Sequence, residues 1–175
     1  MDVPNVIRGP VLPELVDLQQ WQRLQDHCAS VLGVALRTIS PAARLLTEPS
    51  WPNGLDHERV VECFRVGEEL PQLVPASNPP PETVQLTTPV GMTYAAVPIY
   101  TTPVQLVGYL VVGPVMVGRR EDEQAFKYRA QSLGLDQNTL WPLAVAIKLY
   151  SFTGLRSVLE FLQEVTSALA QLAYQ

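Results

Sequence analysis

The chain has 175 residues, of which 47% are hydrophobic, with a formal net charge of −5 and a sequence pI near 5.0. That is enough apolar material for one real core. The acidic balance and the absence of clustered Lys and Arg argue against a nucleic-acid surface, and the one adjacent basic pair, Arg119-Arg120, runs straight into Glu121-Asp122-Glu123 as a solvated helix start.

Residues 1–12, with Pro4 and Pro10, read as an extended N-terminal arm. They lack the basic-then-apolar order of a signal peptide. A first helix over 13–32 starts near Pro13 or Asp17. Its apolar stripe is Leu18, Trp21, Leu24, Cys28 and Val31, and Gly33 ends it. A hairpin is expected next, with strands at 34–39 and 44–47 around Ser40-Pro41-Ala42. Residues 48–54 form a loop, and Asp56 caps a short helix from His57 to about Val66.

Residues 67–81, with Pro71, Pro75 and the run Pro79-Pro80-Pro81, read as an irregular connection or flexible flap. A strand over 84–88 leads to the centre of the fold, two long apolar strands within 92–117 joined by Thr101-Thr102-Pro103. The apolar run 104–117 is too short and too interrupted to span a bilayer. Pro114 belongs at a strand end or bulge, and Gly108, Gly113 and Gly118 mark bulges or the close approach of another group. Alternation places Met92, Tyr94, Ala96 and Pro98 on one face of the first strand and Thr93, Ala95, Val97 and Ile99 on the other.

Helices follow to the end of the chain. One runs from Asp122 to Leu133, with Glu123 and Lys127 one turn apart. Asp136 caps the next, which contains Pro142. Ser151 or Thr153 caps a last amphipathic helix over 151–175. In it Leu155, Val158, Leu162, Val165, Leu169 and Leu172 step by three and four as in a coiled-coil seam, and Leu159, Phe161, Ala168 and Ala173 widen the apolar surface. Either one face packs on the sheet while another meets a partner helix, or all of it is a single broad core face. The expected fold class is therefore α+β, an antiparallel sheet covered by helices, with a domain over 13–150 followed by the dimerisation or signalling helix.

Chemistry-bearing groups are sparse. His57 and Cys63 fall on different faces of one helix, and His27 and Cys28 diverge, so neither pair has zinc-ligand spacing. The two cysteines make no disulfide framework, which fits a reduced, cytoplasmic protein. Asp17, Glu48, Asp56 and Glu62 form no assertable acid–base pair. No phosphate loop, nucleophile elbow or dinucleotide fingerprint is present. Cys63 would act as a nucleophile only with a base within reach, and none is evident. No cofactor, metal or catalytic residue is expected. The suggestive residues are aromatic and sulfur-bearing: Trp51, Phe64, Met92, Tyr94 and Met116 bracket the sheet, and Cys63, Thr93 and Tyr94 offer polar handles to a small ligand.

The order of these elements and the strings Leu46-Thr47-Glu48-Pro49-Ser50-Trp51-Pro52, Ala96-Val97-Pro98-Ile99-Tyr100, Val107-Gly108-Tyr109-Leu110-Val111-Val112-Gly113-Pro114-Val115 and Leu133-Gly134-Leu135-Asp136 resemble the PocR-type sensory domain, a variant of the PAS/GAF-like ligand-binding fold. The resemblance covers about 15–173. It implies a bacterial or archaeal cytoplasmic sensor of small hydrocarbon derivatives, placed upstream of a kinase, a transcription-factor domain or another output module, with no catalytic residue to carry over. The family pattern has further Cys and His in the middle segment, one just before the glycine that matches Gly91. Here Pro89 and Val90 stand there and Cys63 is alone, which counts against metal or thiol sensing.

Together these features predict a sensory or regulatory domain without enzymatic activity. A small, mainly apolar ligand is held by Trp51, Cys63, Phe64, Met92, Tyr94 and Met116, and a terminal helix relays its arrival to an output partner. Homodimerisation through 13–32 or 151–174 is expected, with no direct nucleic-acid or membrane contact. The alternative is a ligand-free dimeric PAS-like scaffold module in a signalling complex, its interior filled.

Overall fold

The computed structural model describes residues 10–74, 82–101 and 105–175. The joint expected at 101–103 and the run Pro79-Pro80-Pro81 fall wholly or partly outside them. The fold is α+β. Its elements are α1 (Leu12–Leu15), α2 (Leu18–Leu32), β1 (Leu36–Ile39), α3 (His57–Phe64), α4 (Leu70–Leu73), β2 (Val84–Thr87), β3 (Thr93–Thr101), β4 (Gln105–Val117), α5 (Glu123–Ser132), α6 (Gln137–Ala146), β5 (Leu149–Tyr150) and α7 (Phe152–Tyr174).

The strands run in the order β1-β4-β3-β2, each pair antiparallel, and β5 adds a short parallel pairing to the end of β4. Alternation along the central strands sends side chains into two cores. Met92, Tyr94, Ala96, Tyr109, Val111 and Met116 meet α3 to α6 on one face. Ala95, Val97, Ile99, Leu110, Val112 and Val115 meet α1, α2 and α7 on the other. The sheet is thus buried on both sides, which is why β3 and β4 are apolar at nearly every position.

The strand glycines answer to the sheet itself. A Cβ on Gly108 would lie 2.7 Å from the Ile39 carbonyl, so this position lets β1 approach β4. Gly113 has φ +126°, beside the register shift between Thr93 and Ala95, and Pro114 sits at that irregularity. Both match the expected bulge.

Five expectations need correction. Leu12, assigned to the arm, is fully buried in the helix-side core together with Leu155 and Leu159. The stripe expected on α2 is turned: Val31 is 84% and Leu24 39% exposed, while Trp21, Gln25 and Ala29 are buried. The reason is polar. Gln25 donates through Nε2 to the carbonyls of Leu36 (3.1 Å) and Glu48 (3.0 Å) and to Ser50 Oγ (2.8 Å), and its Oε1 accepts from the hydroxyls of Thr38 (2.6 Å) and Thr47 (2.9 Å).

The same network replaces the second hairpin strand. The chain doubles back after Ser40, but it keeps only isolated bridges at Ile39–Leu45 and Leu36–Ser50, because Thr47 Oγ1 takes the Thr38 N–H that a ladder would use. The seam expected on α7 straddles two faces: the buried residues are Leu155, Leu159, Leu162, Thr166 and Ala170, and Leu172 is 67% exposed. The flap, the fifth correction, belongs with the cleft.

Candidate ligand cleft

Helix α3 begins at Asp56, whose carboxylate accepts the Arg59 N–H at 3.3 Å, and turns Val60 and Phe64 into the core. It stops at Arg65, which adopts a left-handed φ of 54°. Gly67 (φ +113°) reverses the chain and donates its N–H to Glu69 Oε2 at 2.6 Å. Glu69 opens α4, and Leu73 and Val74 are buried behind it. The segment expected as an irregular connection or flexible flap therefore contains the short helix α4 and is held through residue 74 by one buried ion and two apolar plugs; residues 75–81 lie outside the described set.

The ion's partner is Arg37. It sits on β1 among apolar neighbours, with its side chain and that of Glu69 each 4% exposed, and the two form an ion pair. The Arg37 guanidinium carbon also stands 5.8 Å from the ring centroid of Tyr94 on β3. Tyr94 is itself buried, and its hydroxyl finds no hydrogen-bond partner among the described residues. Burial first, then the Glu69 charge, hold the Tyr94 phenol above its ordinary range, and Arg37 pulls the other way.

Tyr94 and Glu69 form one side of a cleft of about 360 Å³. The end of α3 supplies Cys63, Phe64 and the capping Arg65, and α4 supplies Gln72. The β2–β3 turn supplies Leu86, Thr88 and Val90, and Leu133 and Leu135 beyond α5 close the far side. The turn is held by Gly91 at φ +93°, by the Gly91 N–H to the Thr88 carbonyl (2.8 Å) and by the Met92 N–H to Thr88 Oγ1 (3.2 Å).

Of the six ligand residues expected, Cys63, Phe64 and Tyr94 line this cleft. Met92 and Met116 belong to the same core but are sealed inside it. Trp51 stacks on His57, ring centroids 5.7 Å apart, at the opposite end of α3. Thr93 is taken up by a 2.9 Å hydroxyl contact with Thr87. Asp17 and Asp56 are spent as helix caps. Arg37 and Glu69 went unnoticed, although a lone charge in the short apolar strand 34–39 is itself a signal, since buried charges require partners. Among the described residues no cluster of three or more His, Cys, Asp or Glu is placed to hold a metal, and no helix is long and apolar enough to cross a membrane.

A family model described as the sensory domain found in PocR matches residues 14–174. The chain belongs to the PocR sensory domain family. The matched residues include those of α7 and those that line the cleft. Searches of curated proteins and of solved structures gave no match.

Proposed function

We propose that this PocR domain is a regulatory module that takes a small, mainly apolar ligand into the cleft over Tyr94 and passes its arrival through a terminal helix to an output partner. The observation that carries the reading is the cleft itself: apolar walls from Phe64, Leu86, Val90, Leu133 and Leu135, and a buried polar cluster of Arg37, Glu69 and Tyr94 at its edge. Apolar pockets with a few fixed polar groups are the usual form of small-molecule sites. The reading gives no residue a catalytic role: among the described residues no histidine lines the cleft. A ligand changes the output only if it binds two arrangements with different affinity, and the α3–α4 wall is the element such a ligand would touch.

The test is a thermal-shift screen of small neutral apolar compounds, with Cys63 alkylation as the local readout. A binder should raise the Tm and slow alkylation of Cys63, which is half-buried in the wall. Cys63→Trp, which fills the space, should keep the fold and abolish the shift. Compounds that raise the Tm while Cys63 reacts at its original rate would move the site elsewhere.

A second reading, pairing of two copies, has its own observation. Val158, Phe161, Val165, Ala168 and Leu172 step by three and four along one flank of α7, with Phe161 54% and Leu172 67% exposed, and Val165 borders a narrow crevice toward Leu24 and Cys28 of α2. Sedimentation of wild type against Phe161→Glu/Leu172→Glu tests it. A dimer that becomes a folded monomer supports pairing through this stripe, and an unchanged species refutes it.

A further inference from the structure

Tyr94 is 1% exposed, lines the cleft, and has a hydroxyl without a protein partner among the described residues. The polar groups around it are already engaged, except Arg37 Nε, which also has no partner among the described residues. Glu69 gives one oxygen to Arg37 and takes the Gly67 N–H on the other at 2.6 Å. Thr87 shares a 2.9 Å contact with Thr93, and Thr88 accepts the Met92 N–H. Tyr94 is left holding an unmet hydrogen bond in a place where an unmet bond costs free energy.

The charges decide what can meet it. Glu69 is matched by Arg37, and the lining also carries one charge of each sign, Arg65 and Glu68. An anionic ligand group at the floor would be a third charge beside a matched pair, in surroundings that stabilise ions poorly. Burial and the Glu69 charge keep the Tyr94 phenol protonated, so it donates. The volume, about 360 Å³, exceeds twice the roughly 150 Å³ of an apolar cavity known to hold benzene. There is room for a substituted ring.

Taking the cleft as the binding site, we propose that its ligand is a neutral, ring-sized apolar compound carrying one carbonyl oxygen, and that the Tyr94 hydroxyl donates to that oxygen. Tyr94 is then the residue that separates an oxygenated ligand from a hydrocarbon of the same shape.

Three near-isosteric probes test this on the whole chain by calorimetric or NMR titration: acetophenone, isopropylbenzene and benzoate. Acetophenone should bind wild type about three- to tenfold more tightly than isopropylbenzene, the worth of one net hydrogen bond. Tyr94→Phe should erase that preference and leave isopropylbenzene unchanged, and benzoate should bind at least about tenfold more weakly than acetophenone. Equal wild-type affinities for acetophenone and isopropylbenzene, or a preference that survives in Tyr94→Phe, would overturn the role of Tyr94 while leaving the cleft a binding site. Benzoate binding as tightly as acetophenone would overturn the neutral ligand. If none of the three binds at millimolar concentration, the cleft fails as a site for ligands of this class and the proposal falls with it. The wild-type comparison stands even if the variant does not fold.

Discussion

Arg37 and Glu69 form an ion pair with both side chains almost wholly removed from water, and so join β1 to the wall of the cleft. The pair is costly to desolvate and is sustained by the second contacts each ion makes, the Gly67 N–H on Glu69 and the Tyr94 ring beside Arg37.

Removing one partner should therefore hurt more than removing both. Glu69→Ala strands a buried guanidinium and should cost about 3–5 kcal/mol in urea unfolding. The double variant Arg37→Leu/Glu69→Leu should recover a large part of that loss. A double-variant loss equal to the sum of the two single losses would show that the ions act independently.

Gln25 should outweigh any apolar residue on the exposed side of α2. Gln25→Ala removes one hydrogen bond from each of three hydroxyls and two carbonyls. The expected cost is about 3 kcal/mol or more, against less than about 0.5 kcal/mol for Val31→Ala. Chemical denaturation of the two variants checks the ranking.

Stability should fall on the alkaline side. Burial raises the pKa of Tyr94 and, with Tyr109 and Glu82, pushes Tyr100 up to about 12. The sign follows from linkage: above pH 10 the unfolded chain releases phenolic protons that the folded chain retains, so unfolding becomes easier as pH rises. This stability is whole below pH 10 and is lost on the way to the folded pKa values. Absorbance titration of the phenolates should show a group that ionises only near 12 or upon unfolding; titration of every tyrosine near 10 in the folded protein would contradict it.

Gly113→Ala should be severe. The residue has φ +126°, and an added Cβ would lie 2.6 Å from the Thr93 carbonyl. Backbone strain and overlap together should cost about 3 kcal/mol. Gly54→Ala, also at positive φ but with nothing within 4 Å, should cost about 1 kcal/mol, the strain alone. A thermal melt of each variant separates crowding from conformation.

The sequence by itself determined the elements whose signals are local. Caps at Asp56 and Asp136, the Gly33 stop, and the alternation of Met92, Tyr94 and Ala96 against Ala95, Val97 and Ile99 all depend on neighbours a few residues apart. The tertiary structure alone decided which face of α2 and α7 turned inward. On α2, Gln25 had to reach carbonyls and hydroxyls on strands and loops far along the chain, and apolar spacing is blind to that demand. It also decided the site. Cys63, Phe64 and Tyr94 were legible as candidates from type and position. Arg37 and Glu69 were not, because a buried charge becomes tolerable only when folding brings its counter-ion alongside, and these two lie 32 residues apart.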